Sequence, residues 1–556
     1  MENSTTVALA NGNIAESCPG APVIGWVSGD APHVAWDAPE AVELLRDITR
    51  SLWVSERDGR MGLVSGDHAL TRDETETSVR GYGAPSRLEA LGDASFQRDH
   101  GVRYAYCSGA MANGIASVDL VCALSEAGML SFFGAAGLDL GTIEGAIVAL
   151  ERRLGNKPFG FNLIHSPQEP EHEAATVDLY LRRGVRLVEA AAYLALTLPL
   201  VKYRVSGIYR DEDGKIAAPN RVVGKVSREE VAAHFFSPPP AEMLAKLVAS
   251  GDITQAQAEM AREIPMAQDI TAEADSGGHT DNRPAVALLP TMIALRDRMQ
   301  SEHGYNEPLR VGLAGGIGTP EAVAAAFAMG AAYVVTGSVN QACVESGSCD
   351  AVRQMLAETR QADVAMAPAA DMFEMGVTVQ VLKRGTMFSM RGDKLYGLYR
   401  QYKSLEEIPG PERMKLEKMI FQAPLAAIWE QTKQFFLERN PEEVARAETD
   451  AHHKMALVFR WYLGKASQWA NAGVPERKMD YQVWCGPAMG AFNEWVRGSF
   501  LEAPTRRQAA VVGLNLLHGA AVLARCAGLR NQGFPVPEAA WRVRPIEGDA
   551  IKELMR

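Results

Sequence analysis

The stretch that decides the fold runs from Arg310 to Ala342 and reads RVGLAGGIGTPEAVAAAFAMGAAYVVTGSVNQA. A short apolar run leads into glycines and then into a helical pattern, where Thr319 fits the N-cap position and Pro320 the first helical position. The design then repeats, because a second apolar run leads into Gly337 and another short helical pattern. Strands that end in glycines and continue as helices are typical of parallel β/α units.

The same alternation begins at Gly101 and continues through this stretch. Eight apolar or β-branched runs occupy roughly 250 residues, which is the usual size of a (β/α)₈ barrel. A doubly wound sheet would alternate in the same way, but the count of eight and the polar or glycine residues after almost every run favour the barrel. We predict an α/β fold with a TIM (β/α)₈ barrel over residues 101–346. The predicted strands are Tyr104–Ser108, Met129–Phe133, Phe159–Leu163, Val185–Ala190, Arg221–Val226, Asp269–Ala274, Arg310–Ala314 and Ala332–Thr336.

Three further segments surround the predicted barrel. Residues 1–100 indicate an irregular N-terminal extension that packs on the barrel, with one helical pattern from Pro39 to Trp53. Residues 227–268 contain a proline run and two helical patterns, which predict an inserted helical lid over the barrel mouth. Residues 347–556 indicate a mostly helical C-terminal region.

Composition narrows the class of protein. Of the 556 residues, 47% are hydrophobic and 22% are charged, which is typical of a soluble globular enzyme. The net charge of −12 argues against nucleic acid as a partner. The N-terminus lacks a basic start followed by an apolar run, and the longest apolar stretch that we identify, Leu187–Val201, is too short to span a bilayer. We expect a cytoplasmic protein without a membrane or metal partner, and a homodimer stays open.

The paired glycine loops predict a phosphate site. Backbone N–H groups in glycine loops and at helix N-termini bind phosphate, and barrels often place such a site after strands seven and eight. The same glycines could serve only as tight turns. The pattern does not distinguish FMN from nucleotide or sugar phosphates. The candidate residues are Ala314, Gly315, Gly316, Ile317, Thr336, Gly337 and Ser338.

Polar residues at strand ends indicate a reactive centre. The sixth strand leads into DSGGHT, which brings His279 to the carboxyl rim, where barrel enzymes carry their catalytic groups. An imidazole suits proton donation near neutral pH, although a lone histidine is often structural. Asn162, Lys225 and Glu273 stand where a barrel interior is normally apolar. Lys225 could stabilise negative charge on a ligand such as an isoalloxazine ring, or form an ion pair with Glu273 or Glu189.

Five segments carry a resemblance to a known family. YCSGAMANGIASVDLVCALSEAGMLSFFGAAGL, EADSGGHTDNRP, the stretch quoted first, KRGTMFSMRGDKLYGLY and VWCGPAMGAFNEWVRGSF resemble the PfaD-type trans-acting enoyl reductases of polyunsaturated fatty acid and polyketide synthases. More distantly, the barrel resembles flavin-dependent bacterial enoyl reductases and nitronate monooxygenases. The resemblance implies an FMN-binding barrel that takes electrons from NADPH. It would reduce the α,β-double bond of enoyl thioesters carried on an acyl carrier protein.

The resemblance also implies roles for individual residues. His279 is the expected catalytic residue, and an acidic carrier protein would need a local basic surface. The densest candidate for that surface is Lys383, Arg384, Arg391 and Lys394, although such a charge run is often only a solvated face. The expected cofactor-binding residues are Ser108, Gly109, Ala110, Met111, Asn162, Lys225, Ser276, Gly277, Gly278, Ala314, Gly315, Gly316, Ile317, Thr336, Gly337 and Ser338.

Three other functions stay open at this stage. A nitronate monooxygenase would share the barrel and the flavin but would oxidise an alkyl nitronate with O₂. A dehydrogenase without flavin, similar to inosine-monophosphate dehydrogenase, would use the glycine loops for a substrate phosphate, but no cysteine follows strand six. A synthase scaffold that only retains the flavin would need none of the polar rim residues. The pathway, the acyl chain length and the stereochemistry are also open.

Overall fold

Eight parallel strands close into a barrel in the computed structural model of the protein. Neighbouring strands pair around the ring, and Val334–Thr336 pairs with Tyr106–Ser108 to close it. The predicted TIM barrel is confirmed, with every strand end within two residues of its predicted position. The barrel strands, numbered one to eight along the chain, are Tyr106–Ser108, Leu130–Phe133, Gly160–Ile164, Leu187–Ala191, Arg221–Val226, Asp269–Glu273, Arg310–Ala314 and Val334–Thr336.

The structure describes residues 22–27, 33–66, 70–74, 77–165, 169–548, 550–551 and 553. The chain forms two compact units. One unit consists of Met1–Leu91, Pro320–Ala328 and Gly513–Arg556, and the other consists of Gly92–Thr319 and Met329–Val512. All eight barrel strands belong to the second unit.

Helices follow the barrel strands, because parallel strands need long crossover connections. Polar caps start several of them: Ser117 accepts from the N–H of Leu120, and Asp139 accepts from the N–H of Thr142. The helices are Val118–Glu126, Leu140–Leu154, Pro170–Arg183, Leu198–Val205, Glu229–Phe236, Ala285–His303, Pro320–Ala328 and Ser338–Gln341.

The insertion between strands five and six is helical, as predicted, but it does not cover the barrel mouth. Its helices Ala241–Ser250 and Gln255–Ala261 contact the helix that follows strand four, where Lys202 pairs with Asp252 at 2.7 Å. None of the residues 227–268, all of which are described, lines the cavity at the mouth. The prediction of a lid at this position is therefore wrong, because these helices pack beside a neighbouring barrel helix instead.

The C-terminal region is mostly helical, as predicted, and also contains a β-hairpin that the sequence analysis missed. Strands Val364–Pro368 and Thr378–Leu382 pair with each other, and the second also pairs with Gly278–His279. Together with the surrounding helices they enclose a second apolar core that includes Phe373 and Phe459. The helices of this region are Asp350–Ala357, Phe388–Gln401, Gly410–Leu416, Leu425–Arg439, Pro441–Thr449, Ala451–Ala472, Ala488–Val496 and Ala509–Asn531, with a π-helical turn at Glu417–Phe421.

The N-terminal segment contains an antiparallel sheet where the sequence analysis expects irregular structure. The helix predicted from Pro39 to Trp53 is present only as Ala38–Arg46, and Trp53 belongs to a strand. That strand turns at Asp58 and Gly59, which both have positive φ, as a tight hairpin requires. The strands, in their order across the sheet, are Arg60–Ser65, Leu52–Arg57, Ser78–Gly83, Gly25–Val27 and Leu70–Thr71.

The helix Ala509–Asn531 is long and apolar enough to cross a membrane by length and composition alone. The prediction that Leu187–Val201 is the longest apolar stretch is wrong, because this helix is longer. Because 83% of its most apolar window is buried inside the protein, the helix has the character of a core helix.

A buried ion cluster lies at the amino ends of strands six and seven. Asp269 is 2.6 Å from the Nε of Arg310 and 2.9 Å from the Nε2 of His100, and Arg310 also pairs with Asp99 at 2.6 Å. Burial alone would raise the pKa of Asp269, but His100 and Arg310 outweigh burial and lower that pKa well below its ordinary value. The cluster therefore stabilises the folded barrel at neutral pH.

We expect Asp269→Asn to lower the free energy of unfolding of the barrel by about 3–5 kcal/mol, because it leaves Arg310 and His100 buried without their shared carboxylate. The difference from the wild type should shrink as the pH falls below about 4, where aspartate in the unfolded chain becomes protonated. Urea unfolding at several pH values measures both effects. Glu144→Gln, which breaks the half-exposed pair with Arg183, should cost less than about 1 kcal/mol. Equal losses in the two variants would contradict this prediction.

Candidate active site

A cavity of about 610 Å³ lies at the carboxyl ends of the barrel strands. Residues that directly follow the strands form its floor, and residues of the helices Leu425–Arg439 and Ala451–Ala472 form much of its cover. Because parallel strands all end on one side of a barrel, loops that are distant in sequence meet there. A cavity of this volume is typical of a small-molecule site.

The cavity brings together almost every site residue that the sequence predicts. His279 and all the expected cofactor-binding residues except Ser108 line it. Ser108 is buried in strand one, where its hydroxyl has no hydrogen-bond partner in the part of the chain that the structure describes. Thr336 lines the cavity, but its hydroxyl already bonds to the Tyr106 hydroxyl and to the Asn340 amide, both at 2.7 Å.

Lys225 lies between two carboxylates at the floor of the cavity. Its ammonium is 3.2 Å from the Oε1 of Glu273. Burial lowers the pKa of Lys225, but the charges of Glu273 and Glu189 outweigh burial and raise it above its ordinary value. The pKa of Glu189 is raised by burial, although Lys225 and the N–H of Ala110, which donates to it at 3.0 Å, oppose this. The ion pair between Lys225 and Glu273, which the sequence leaves as one alternative, is present. The charge of Glu189 also acts on the Lys225 ammonium.

The glycine loops after strands seven and eight leave open backbone at the cavity. Gly315 and Gly316 have φ angles of 84° and 75°, a conformation that favours glycine. A Cβ at Gly315 would lie 2.6 Å from the carbonyl carbon of Ala274, so only glycine lets this loop pass the end of strand six. Gly316 and Gly337, in contrast, have no atom within 4 Å of the position that a Cβ would take.

His279 lies in a short strand rather than in a free loop. Gly278–His279 pairs with the hairpin strand Thr378–Leu382, and the Nε2 of His279 is 3.2 Å from the Oδ1 of Asp371. Burial lowers the pKa of His279, but the hydrogen bond and the charge of Asp371 outweigh burial and raise it above its ordinary value. The contact with Asp371 therefore stabilises the protonated form of the imidazole.

Asp371 and Gln380 are site residues that the sequence analysis missed. Both belong to the hairpin, and the Gln380 amide donates to the carboxylate of Asp275 at 2.8 Å and to the carbonyl oxygen of Ser276 at 2.6 Å. The only local signal for Asp371 is an acidic residue within the apolar run AMAPAADMF. That signal does not indicate a partner 92 positions earlier in the chain.

The segment Trp484–Gly486 packs against the loop that precedes His279. A Cβ at Gly277 would lie only 2.8 Å from the backbone nitrogen of Cys485. The N–H of Gly486 donates to the Oγ of Ser338 at 3.0 Å, so the segment also contacts the loop after strand eight. The C-terminal region therefore supplies part of the wall of the site.

The predicted basic surface is not a free patch of four cations. Arg391 forms an ion pair with Asp480, and only 14% of its side chain is exposed. Arg384 lies 3.5 Å from Asp363, and Lys394 lies 2.7 Å from Glu412. Arg391 is thus a largely buried cation with a structural partner, because the helical packing around it supplies a carboxylate.

Two known families match the sequence. Residues 100–390, slightly more than half of the chain, match nitronate monooxygenase. The chain belongs to the nitronate monooxygenase family. Residues 402–481 match a second description, the inserted helical domain of acyl-carrier-protein S-malonyltransferase. This second match contains the two helices that cover the cavity.

Similar proteins come from synthases. The chain is 50% identical over 454 residues to a polyunsaturated fatty acid synthase subunit from Thraustochytrium sp., and the match covers 80% of this chain and 30% of that protein. It is 46% identical over 436 residues to polyketide biosynthesis protein PksE of Bacillus subtilis, covering 78% of this chain and 56% of that protein. The chain therefore spans less than two thirds of the length of these relatives.

A solved structure extends the comparison. The enoyl reductase domain of MlnA, from the macrolactin biosynthesis cluster of Bacillus amyloliquefaciens, is 40% identical with a TM-score of 0.76. The match covers 80% of this chain and 99% of that domain. The resemblance to enoyl reductases of polyketide and polyunsaturated fatty acid synthases, stated from the sequence, is confirmed.

We expect Gly277→Ala to destabilise the wall of the cavity, because its Cβ would force the backbone of Cys485 to move. Overpacking of this kind typically costs about 1–3 kcal/mol. Gly145→Ala is the matched control, since Gly145 lies within a helix with no atom within 4 Å of the added Cβ, and it should stabilise by up to about 1 kcal/mol. Thermal unfolding distinguishes the two variants. A Gly277→Ala protein as stable as Gly145→Ala would show that this packing is not tight.

Proposed function

We propose that this protein is an FMN-dependent, NADPH-driven enoyl reductase. It acts in trans on enoyl thioesters carried on the acyl carrier protein of a polyketide or polyunsaturated fatty acid synthase. The observation that carries the proposal is the convergence of two open glycine loops, the Lys225 ammonium and His279 on one cavity. The 40% identity to the enoyl reductase domain of MlnA supports the same reaction class.

The residues at the cavity fit the phosphate of FMN. The N–H groups of Gly316, Ile317 and Ser338 have no acceptor within the described ranges of the chain. Gly316 and Gly337 leave open space where a Cβ would stand. Unpaired backbone N–H groups of this kind bind phosphate oxygens. The residues that would hold the flavin ring are Gly109, Ala110, Met111, Asn162, Lys225, Ser276, Gly277 and Gly278, all of which line the same cavity.

Lys225 supplies a fixed positive charge at the floor of the site. When bound, FMN provides the hydride chemistry that connects NADPH to the β-carbon of the enoyl group. Glu273 and Glu189 keep the Lys225 ammonium protonated, so it stabilises negative charge that develops beside it without having to reorient. The buried position strengthens this effect, because little water screens the charge.

His279 supplies the proton on the substrate side. The imidazole lines the cavity, and Asp371 favours its protonated form. From this position His279 donates a proton to the α-carbon of the substrate or a hydrogen bond to the thioester oxygen. The helices Leu425–Arg439 and Ala451–Ala472 cover the same cavity, and 35% of the His279 side chain remains exposed beneath them.

The similar proteins support a carrier-bound substrate. Two of them are a polyunsaturated fatty acid synthase subunit and a polyketide biosynthesis protein. The match of the helical cover to a domain of an acyl-carrier-protein transacylase supports a carrier protein as the partner. We also propose that the enzyme is cytoplasmic. Since Arg391 is buried, docking must use other surface residues.

A spectroscopic assay tests the proposed function. The purified protein should show a flavin spectrum, NADPH should bleach it, and an enoyl thioester should restore it under anaerobic conditions. Nitronate-dependent O₂ uptake is the matched assay for the reaction that gives the family its name. A protein that binds no flavin, or that consumes nitronate and leaves enoyl thioesters unchanged, would contradict the proposal.

We expect His279→Ala to lower the rate of enoyl reduction by about 10²–10⁴-fold, which is the usual contribution of a positioned acid. Bleaching by NADPH should be largely retained, because His279 is assigned to the substrate step. His234→Ala is the control, since His234 is exposed on a helix and does not line the cavity. Near-wild-type turnover in His279→Ala, with FMN bound, would exclude the assigned role.

A further inference from the structure

The partner of His279 belongs to a turn that the barrel itself does not contain. Asp371 stands between the hairpin strands Val364–Pro368 and Thr378–Leu382, and the second of these strands also pairs with Gly278–His279. The backbone pairing therefore fixes the main chain of His279, and the 3.2 Å contact from its Nε2 to the Asp371 Oδ1 orients the imidazole. Both side chains line the cavity.

The covering helix Ala451–Ala472 holds this turn at two positions. Arg460 donates from its Nε to the carbonyl oxygen of Ala370, the residue before Asp371, at 2.8 Å. Two helical turns earlier, the Nδ1 of His453 is 3.0 Å from the Oε1 of Glu374. The turn that presents Asp371 is thus clamped on both sides of that residue.

Removing the guanidinium of Arg460 from water is energetically unfavourable, so its position calls for a structural explanation. Its NH1 has no hydrogen-bond partner within the described part of the chain. Burial lowers its pKa, and nearby carboxylates, with Glu374 and Glu443 ranking first, offset only part of that effect. A buried guanidinium with an unsatisfied N–H is retained more readily where it positions something else.

We propose that Asp371 is the positioning residue for His279 and that the helix Ala451–Ala472, through Arg460, holds Asp371 in place. The inference rests on the proposed function only for the role of His279 as proton donor. An ionised carboxylate can only accept, so His279 donates its Nε2–H to Asp371 and keeps its Nδ1–H for another acceptor when protonated. The Asp371 carboxylate then determines the orientation of the His279 imidazole and also favours its protonated state.

The charges around His279 determine the direction in which its pKa shifts. Asp371 on the hairpin and Glu273 on strand six favour the imidazolium, whereas Lys225 on strand five and burial oppose it. The balance raises the pKa of His279, so its proton is retained to higher pH and is lost as the pH rises through that value. Loss of the Asp371 charge must move the loss of the proton to lower pH.

Asp371→Asn removes the charge and keeps the size of the side chain. We expect the titration midpoint of His279, followed by NMR of protein with ¹³C-labelled histidine, to fall by about one pH unit. His279→Gln assigns the signal among the eleven histidines. The alkaline limb of kcat/KM for enoyl reduction should fall by the same amount. Asp363→Asn is the control, because Asp363 stands at the start of the same hairpin, pairs with Arg384 and does not line the cavity.

Arg460→Lys tests whether Arg460 holds the turn that carries Asp371. It also provides an independent test if the Asp371→Asn protein does not fold. It keeps a cation but cannot reproduce the guanidinium bond to Ala370, so the His279 midpoint should move in the same direction by a smaller amount. An unchanged midpoint in a folded Asp371→Asn protein would overturn the proposal, and so would an unchanged midpoint in Arg460→Lys if Asp371→Asn does not fold. A shifted midpoint in a protein that never reduces enoyl thioesters would uphold the positioning and refute the proposed function instead.

Discussion

The pairing of strand eight with strand one is the constraint on which the site depends. Val334 lies opposite Tyr106 and Thr336 opposite Ser108, and this seam turns an open sheet into a ring. The Tyr106 hydroxyl reinforces it by bonding to Thr336 in the buried interior. Only a closed ring brings the loop after strand one beside the loop after strand eight. The loops that follow strands one, seven and eight can then face one cavity.

The barrel and its floor could be predicted from the sequence because their signals are local. Each strand is a short apolar run, and each rim residue directly follows its strand, so chain position alone places His279, Gly315 and Gly337 on one side of the barrel. Ser108 is the exception, since it is fully buried within its strand and does not line the cavity, although Ala314 and Thr336 also end their strands and do line it.

The features that the sequence analysis missed have two different physical causes. The N-terminal hairpin has a local signal in the sequence, the Asp58-Gly59 pair. The predicted helix before it is too long, because it includes the first residues of the strand. The Asp371 contact had no such signal, because its partner His279 is far away along the chain. Apolar periodicity predicts which face of an element is buried, but not which distant turn will meet it.

Part of the C-terminal region thus forms a wall of the candidate site and is not an appendage to a complete barrel. The His279–Asp371 pair remains partly open to water, with 35% and 47% of the two side chains exposed, so geometry rather than burial must hold it together. The helices Leu425–Arg439 and Ala451–Ala472 cover the same cavity, and the second of them also bonds to the turn that carries Asp371. One helix therefore covers the cavity and orients the turn that carries Asp371, so a change in this helix should alter the position of the His279 imidazole.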